Sequence, residues 1–263
     1  MTNKVLFFLL VLSLPTFAQK TIQVKSIIGT AYISGDISPK QAKIQALNDA
    51  KINALKTAGI GEHISSYQML FSSQQKNDFS QFFSSDVQTE IQGAVQQYTI
   101  TSERVYCKSE FEIVSEVTID ATVIAYDTKP DNSFDTHIEG IKSNYNNDDK
   151  LQFTLKTTQD CYVTVFNITD KEAFLLYPNA YERQKKIEAL ATQTFPTVKI
   201  DYALHTDLRQ ETNRLIFVCT KTPMPFIKMD KNQLTTNEDI FSWLYSIMPD
   251  QRKTEYITLL IQK

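Results

Sequence analysis

Cys161-Tyr-Val-Thr-Val-Phe-Asn-Ile168, followed after the polar link Thr169-Asp-Lys-Glu172 by Ala173-Phe-Leu-Leu-Tyr-Pro-Asn179, decides how the second half of the chain folds. Cys161, Val163, Val165 and Asn167 fall on one face of the first run, and Tyr162, Thr164, Phe166 and Ile168 on the other. A period of two without charge on either side is the pattern of a strand with two largely buried faces. The short polar link makes the two runs a β-hairpin. Pro178 ends the second run, because it lacks the N–H that a central ladder needs. This hairpin is the expected core of a β-rich C-terminal domain.

Further strands flank it. Leu151, Phe153 and Leu155 alternate ahead of it, after a polar turn over Asn144–Lys150, and Arg214–Thr220 is a second apolar run. Tyr181–Lys186 reads as a charged loop and Phe195-Pro196 as an edge or turn. Thr235 with Glu238 reads as a capping box. The helix it opens carries Ile240, Phe241, Leu244, Tyr245 and Met248 on one side and stops at Pro249. Tyr256–Gln262 is the last strand. Residues 134–263 therefore read as a mainly β, sandwich-like domain with one late helix.

The N-terminal half has a different rhythm. Thr21–Ser34 reads as a strand with Gly29 as a bulge, and Gly35-Asp36 as a turn. A helix then starts at Ser38 (cap), Pro39 (first position) and Gln41 (capping box), and stops at Gly59. Its stripe, Ala42, Ala46, Ala50, Ala54 and Ala58, is narrow enough to lie close against a sheet. Phe79, Phe82, Phe83, Val87 and Ile91, capped by Asn77, predict a second helix up to Gly93. Val95–Tyr106 and Glu110–Tyr126 are strands. In the latter, Phe111, Ile113, Val117, Ile119, Ala121, Val123 and Ala125 share one face, and Glu112, Glu116 and Asp120 line the other, read as a solvated sheet face. Residues 19–126 thus predict an α+β domain with helices on one face of an antiparallel sheet, joined through a linker at 127–133.

Residues 1–18 read as a signal peptide. Lys4 precedes an apolar stretch from Val5 to Leu14, and Thr16-Phe17-Ala18 offers the small residues of a cleavage site. That stretch is too short to span a bilayer, and no later segment approaches one. The expected address is periplasmic or secreted, with no transmembrane segment in the mature chain. A net charge of −3 with mixed signs argues against nucleic-acid binding.

Chemistry is sparse. Six glycines include no phosphate loop, dinucleotide fingerprint or nucleophile elbow. His63, His137 and His205 have no second ligand at metal spacing. No cofactor is expected. Cys161 and Cys219 either bridge facing strands or are buried thiols, and their apolar surroundings favour the second. Cys107 is left free in both cases. A thiol nucleophile would have to pair Cys161 or Cys219 with His205 or His137, and a carboxylate mechanism would draw on Asp160, Asp201 and Asp207. Tyr162, Tyr177 and Tyr181 cluster around the hairpin and form a candidate binding surface, with core packing as the competing reading.

Two resemblances attach to these motifs. Leu151-Gln-Phe-Thr-Leu155, Asp160-Cys-Tyr-Val-Thr-Val-Phe166, Leu175-Leu-Tyr-Pro-Asn179, Phe195-Pro196 and Arg214-Leu-Ile-Phe-Val218 resemble the bacterial domain of unknown function 4384. Where that family often has a glycine before the last strand, this chain has Glu211-Thr-Asn213. Gly29-Thr-Ala-Tyr-Ile33, the capped helix from Ser38 to Leu55, and Gly93 ahead of a strand pair are similar to the N-terminal domain of flagellar assembly protein T and related envelope lipoproteins. The chain lacks the lipidated cysteine of the latter. Both resemblances imply interaction more than catalysis. The expectation is an exported, non-enzymatic interaction or assembly module with an envelope protein partner. A glycan-binding protein using exposed tyrosines, with a polysaccharide partner, is one alternative, and a hydrolase with an unrecognised site is another.

Overall fold

The computed structural model describes residues 20–35, 37–60, 93–110, 112–169 and 172–263. The expected signal peptide and the expected helix between Asn77 and Ile91 lie outside the described residues. The N-terminal unit contains β1 (Lys20–Ile33), α1 (Pro39–Thr57), β2 (Gly93–Ser109) and β3 (Glu112–Ala125). Its strands form an antiparallel sheet in the order β1-β3-β2. The central place falls to β3, the strand with the longest regular alternation, and Val117, Ile119, Ala121 and Val123 are buried there.

Helix α1 begins and ends where its residues require. Ser38 Oγ accepts from the Gln41 N–H while Gln41 Oε1 accepts from the Ser38 N–H, a reciprocal capping box. At the other end Gly59 has φ 83°. Its N–H donates to Lys56 O, and the Ile60 N–H to Leu55 O, the two bonds of a Schellman cap.

Two features of this unit differ from expectation. The bulge in β1 falls between Val24 and Ile27, with Ser26 at φ 54°, not at Gly29. Gly29 is instead the point where strand and helix touch: a Cβ there would sit 2.1 Å from Ala50 N and 2.2 Å from Ala46 O. The charged face of β3 is also not all solvated. Glu116 is 7% exposed, because Arg104, its partner in register, lies across it with Nε and Nη2 at 2.7 and 3.0 Å, and Tyr106 OH donates at 3.3 Å. The guanidinium holds the Glu116 carboxyl below its usual pKa.

The second unit runs through β4 (Thr136–Glu139), β5 (Asn144–Asn146), β6 (Lys150–Leu151), β7 (Phe153–Thr157), β8 (Cys161–Ile168), β9 (Ala173–Tyr177), β10 (Lys186–Ile187), β11 (Thr192–Phe195), β12 (Tyr202–Ala203), β13 (Gln210–Thr220), β14 (Leu234–Thr235), α2 (Asn237–Ser246), a 3₁₀ turn (Pro249–Gln251) and β15 (Arg252–Gln262). A large sheet has the order β14-β9-β8-β13-β15-β5, with β10 also pairing β8. Over it lie the sheet β11-β7-β4 and the short pair β12-β6. The opening hairpin is therefore central, as its buried faces demand. Between the layers, Phe153 stacks on Phe195 with centroids 4.9 Å apart and meets the edge of Phe217 at 5.2 Å. The stretch read as a polar turn, Asn144–Lys150, supplies β5, which pairs parallel to β15.

Helix α2 is capped by Thr236, whose Oγ1 accepts from the Asp239 N–H at 3.1 Å, not by Thr235 with Glu238. Thr235 is held in β14 opposite Ala173, so it is committed to a strand. Glu238 is freed to bond Lys51 of α1 at 2.8 Å. The outer face of the large sheet packs Phe166, Ile168, Ile216 and Val218 against α2, and the same buried cluster continues to Leu55 of α1 and Val123 of β3. Residues between the units are tied down as well, Asp131 to Lys221 and Gln159, and Thr128 to Asp250. No helix among the described residues is long and apolar enough to cross a membrane.

Candidate functional site

The face of the large sheet that looks into the sandwich is built from two columns. On β8 these are Cys161, Val163, Val165 and Asn167, and on β13 they are Asn213, Leu215, Phe217 and Cys219. Leu215 stands opposite Asn167 and Cys219 opposite Val163, so the antiparallel register puts the two cysteines at one end and the two asparagines at the other. The β11-β7-β4 layer covers the middle and the cysteine end with large aromatic rings. Over the asparagine end the second layer shrinks to the β12-β6 pair, and a cleft of about 340 Å³ opens between the layers.

Asn167 and Asn213 line this cleft and are 4% and 2% exposed. Asn167 Nδ2 donates to Asn213 Oδ1 at 2.6 Å. The remaining amide atoms, Asn167 Oδ1 and Asn213 Nδ2, have no hydrogen-bond partner among the described residues. A buried polar atom left unmade costs about 1–3 kcal/mol. Phe174, opposite Asn167 on β9, and Tyr202 and Leu204 of the upper layer form apolar walls. The charged groups at the rim are Glu172, Asp207, Glu211 and His205. His205 lies between Asp148 at 3.2 Å and Asp207 at 3.5 Å. The hydrogen bond to Asp148 holds its proton to higher pH than usual.

A second, shallower groove of about 360 Å³ shares Phe174, Leu176 and Tyr202 with the cleft and is bordered by Tyr181. The wall between them is anchored from below. Glu182, 1% exposed, accepts from Tyr202 OH, from Thr197 N and Oγ1, and from Asn179 Nδ2 at 2.8 Å. Burial pushes this carboxyl up, but the four donors outweigh it and its pKa lies below the usual range.

The residues singled out from sequence are dispersed. Tyr177 leaves the candidate binding surface: it is buried, meets Phe195 edge-on at 4.9 Å and donates its hydroxyl to Arg183 O. Tyr162 is half-buried and points to the face of β8 opposite Cys161. Tyr181 alone is open, at 75% exposure. Cys161 and Cys219 are both free thiols and buried, and Cys107 is free and exposed. Cys161 Sγ donates to Thr157 Oγ1 at 3.6 Å. The hydrogen bond shared with Cys161 and complete burial push the Cys219 thiol up, the opposite of what a nucleophile needs. His137 pairs with Glu139 at 2.8 Å, and His205 serves the cleft. Asp160, Asp201 and Asp207 bond Lys186, Lys150 and His205 separately. Among the described residues no cluster of three or more His, Cys, Asp or Glu could hold a metal ion.

The stretch from β5 to β13 supplies both asparagines, His205 and all of the upper layer except β4. Residues 144–223 match a domain of unknown function (DUF4384). The match takes in nearly the whole cleft and leaves out α2 and β15. No curated protein matches the chain. Sequence reasoning missed the asparagine pair, although Asn167 was already visible as a polar residue on an otherwise apolar strand face. Asn213 was hidden, since Glu211-Thr-Asn213 reads as a turn and in fact lies inside β13.

Proposed function

We propose that the protein is an exported, non-catalytic interaction module that docks a protein partner in the cell envelope through the cleft and the adjoining Tyr181 groove. The observation that carries this reading is an inter-sheet cleft lined by two buried asparagines, each with one amide atom that has no hydrogen-bond partner among the described residues. Amides neither give nor take protons at ordinary pH, so they suit recognition rather than acid–base work. Tyr181 adds an exposed aromatic beside the cleft, the kind of side chain that anchors interfaces. The signal-like residues 1–18 and the similarity of the capped helix to flagellar assembly protein T support an envelope setting for the same role.

A photocrosslinking residue at position 181 of the full chain, expressed in its own host, tests the reading. One protein adduct formed from position 181, and not from the exposed Lys25 on β1, is the expected result. Equal labelling from both positions, or none from position 181, overturns it. Recovery of polysaccharide alone at 181 moves the function to glycan binding.

A further inference from the structure

β1 lies at one side of the N-terminal sheet, 14 residues long, and among the described residues it pairs with β3 alone. Its second half, Ile27-Ile-Gly-Thr-Ala-Tyr-Ile33, has no charge and no proline, and five of its seven residues are β-branched or aromatic. An uncharged segment of that composition on an open edge is complementary to a copy of itself. Side-chain burial does not hide it, since Ile28 and Tyr32 are both half-exposed.

The backbone of the segment is what is protected. Alternate residues of a strand turn their N–H and C=O groups to the same side. The Thr30 N–H donates to Asp49 Oδ2 at 2.9 Å, and Ile28 O accepts from Asn53 Nδ2 at 2.9 Å, so Ile28 and Thr30 turn these groups away from β3 and toward the edge. Asp49 and Asn53 stand one turn apart on α1, and Asn53 Nδ2 also reaches Asp49 Oδ2 at 3.4 Å. Their reach depends on Gly29, where the missing side chain lets the helix backbone at Ala46 and Ala50 come up against the strand. An antiparallel strand laid along this edge would exchange a pair of bonds with Ile28 and another with Thr30, and each pair has one of its groups already taken. Toward Val24 the bulge places the Ser26 N–H on Asp120 Oδ1 at 2.8 Å, which interrupts regular pairing there. Ile28 and Thr30 are both exposed, so water can satisfy the same backbone groups. What the helix side chains add is occupancy that an incoming strand does not displace as easily as water.

We propose that Asp49 and Asn53 guard this edge, keeping residues 27–33 from pairing with the same segment of a second copy of the chain. The guard belongs to the N-terminal sheet and is independent of what docks at the cleft.

Sedimentation velocity of the full chain over a range of concentrations tests it, with far-ultraviolet circular dichroism confirming that each variant is folded. Asp49→Ala combined with Asn53→Ala returns two backbone groups to the edge, and the expected result is self-association at least about tenfold tighter than that of the wild type. Adding Thr30→Pro to that pair takes the edge N–H away again and should restore wild-type behaviour. Asp49→Asn alone keeps an acceptor for the Thr30 N–H and should also behave as the wild type. Ser38→Ala, which loosens α1 but leaves both side chains in place, is the control for lost stability. An unchanged double variant overturns the proposal. So does association that Thr30→Pro fails to reverse, which would place the contact elsewhere, or equal association of Ser38→Ala, which would make instability the cause. Should the double variant not fold, Asn53→Ala alone frees the Ile28 C=O and carries the same comparison; self-association no tighter than that of the wild type then overturns the guard.

Discussion

Glu182 shows how a single buried charge shapes the recognition surface without touching it. Its two oxygens accept from Tyr202, Thr197 and Asn179, so the ring of Tyr202 stands where it divides cleft from groove. Glu182→Gln turns one acceptor into a donor facing donors, and we expect a loss of about 1.5–3 kcal/mol in urea unfolding, the range for hydrogen bonds to charged groups. The pH dependence has a definite sign. The folded pKa is depressed, so the contribution is complete above the unfolded value near ~4.3 and is lost as pH falls through the folded value. The wild-type acid limb should therefore be steeper than that of Glu182→Gln; parallel limbs would show that Glu182 is not the group titrating. Residues of this kind were only partly legible beforehand. Asn167 could be picked out by its phase with Cys161, Val163 and Val165. Its partner could not, because the pairing depends on the register of β8 against β13, which no pattern along one strand carries.

At the level of elements, local chemistry and close packing were legible to different degrees. The ends of α1 were, since Ser38, Pro39, Gln41 and Gly59 act on their own neighbours along the chain. Ser38→Ala should cost ~1 kcal/mol of stability through the lost cap, read as a lower thermal midpoint. The end of α2 was misplaced by one residue because β14 claims Thr235, a tertiary choice. Gly29 was recognised as special for the wrong reason: a strand glycine signals either a bulge or a close backbone approach, and only the position of α1 separates them. With Ala50 N and Ala46 O within 2.2 Å of a Cβ at that site, Gly29→Ala must push strand and helix apart. We expect a loss of about 3 kcal/mol, the upper part of the overpacking range. Gly35, with no atom of the other described residues within 4 Å of a Cβ placed there, is the control, and Gly35→Ala should change stability by no more than about 0.5 kcal/mol. Similar effects at the two glycines would remove the close approach as the cause.

Across the whole molecule, α2 belongs to the second unit by sequence and to both by packing. Trp243 meets Phe166 of the large sheet with centroids 5.5 Å apart, while Ser242 Oγ donates to Gln96 O of β2 at 3.1 Å and Glu238 bonds Lys51 of α1. Lys51 Nζ also stands 4.3 Å from the centroid of the Tyr98 ring on β2. The helix thus touches both sheets, and fluorescence of Trp243, the one tryptophan, reports on its packing. Lys51→Met keeps the apolar stem of the buried side chain but removes the charge that holds the Glu238 carboxyl down against burial. Glu238 keeps about half of its side chain in water, so the change should cost only ~1 kcal/mol, or roughly 2–4 °C for a chain of this size. The informative outcome is where the shift is seen. If the buried cluster couples the units, a substitution in the N-terminal helix lowers the midpoint followed by Trp243 and the midpoint followed by far-ultraviolet circular dichroism together. A Trp243 transition that stays in place while the circular dichroism transition moves would mean that the sheets unfold independently, and that a partner bound at the asparagine cleft leaves the N-terminal sheet unaffected.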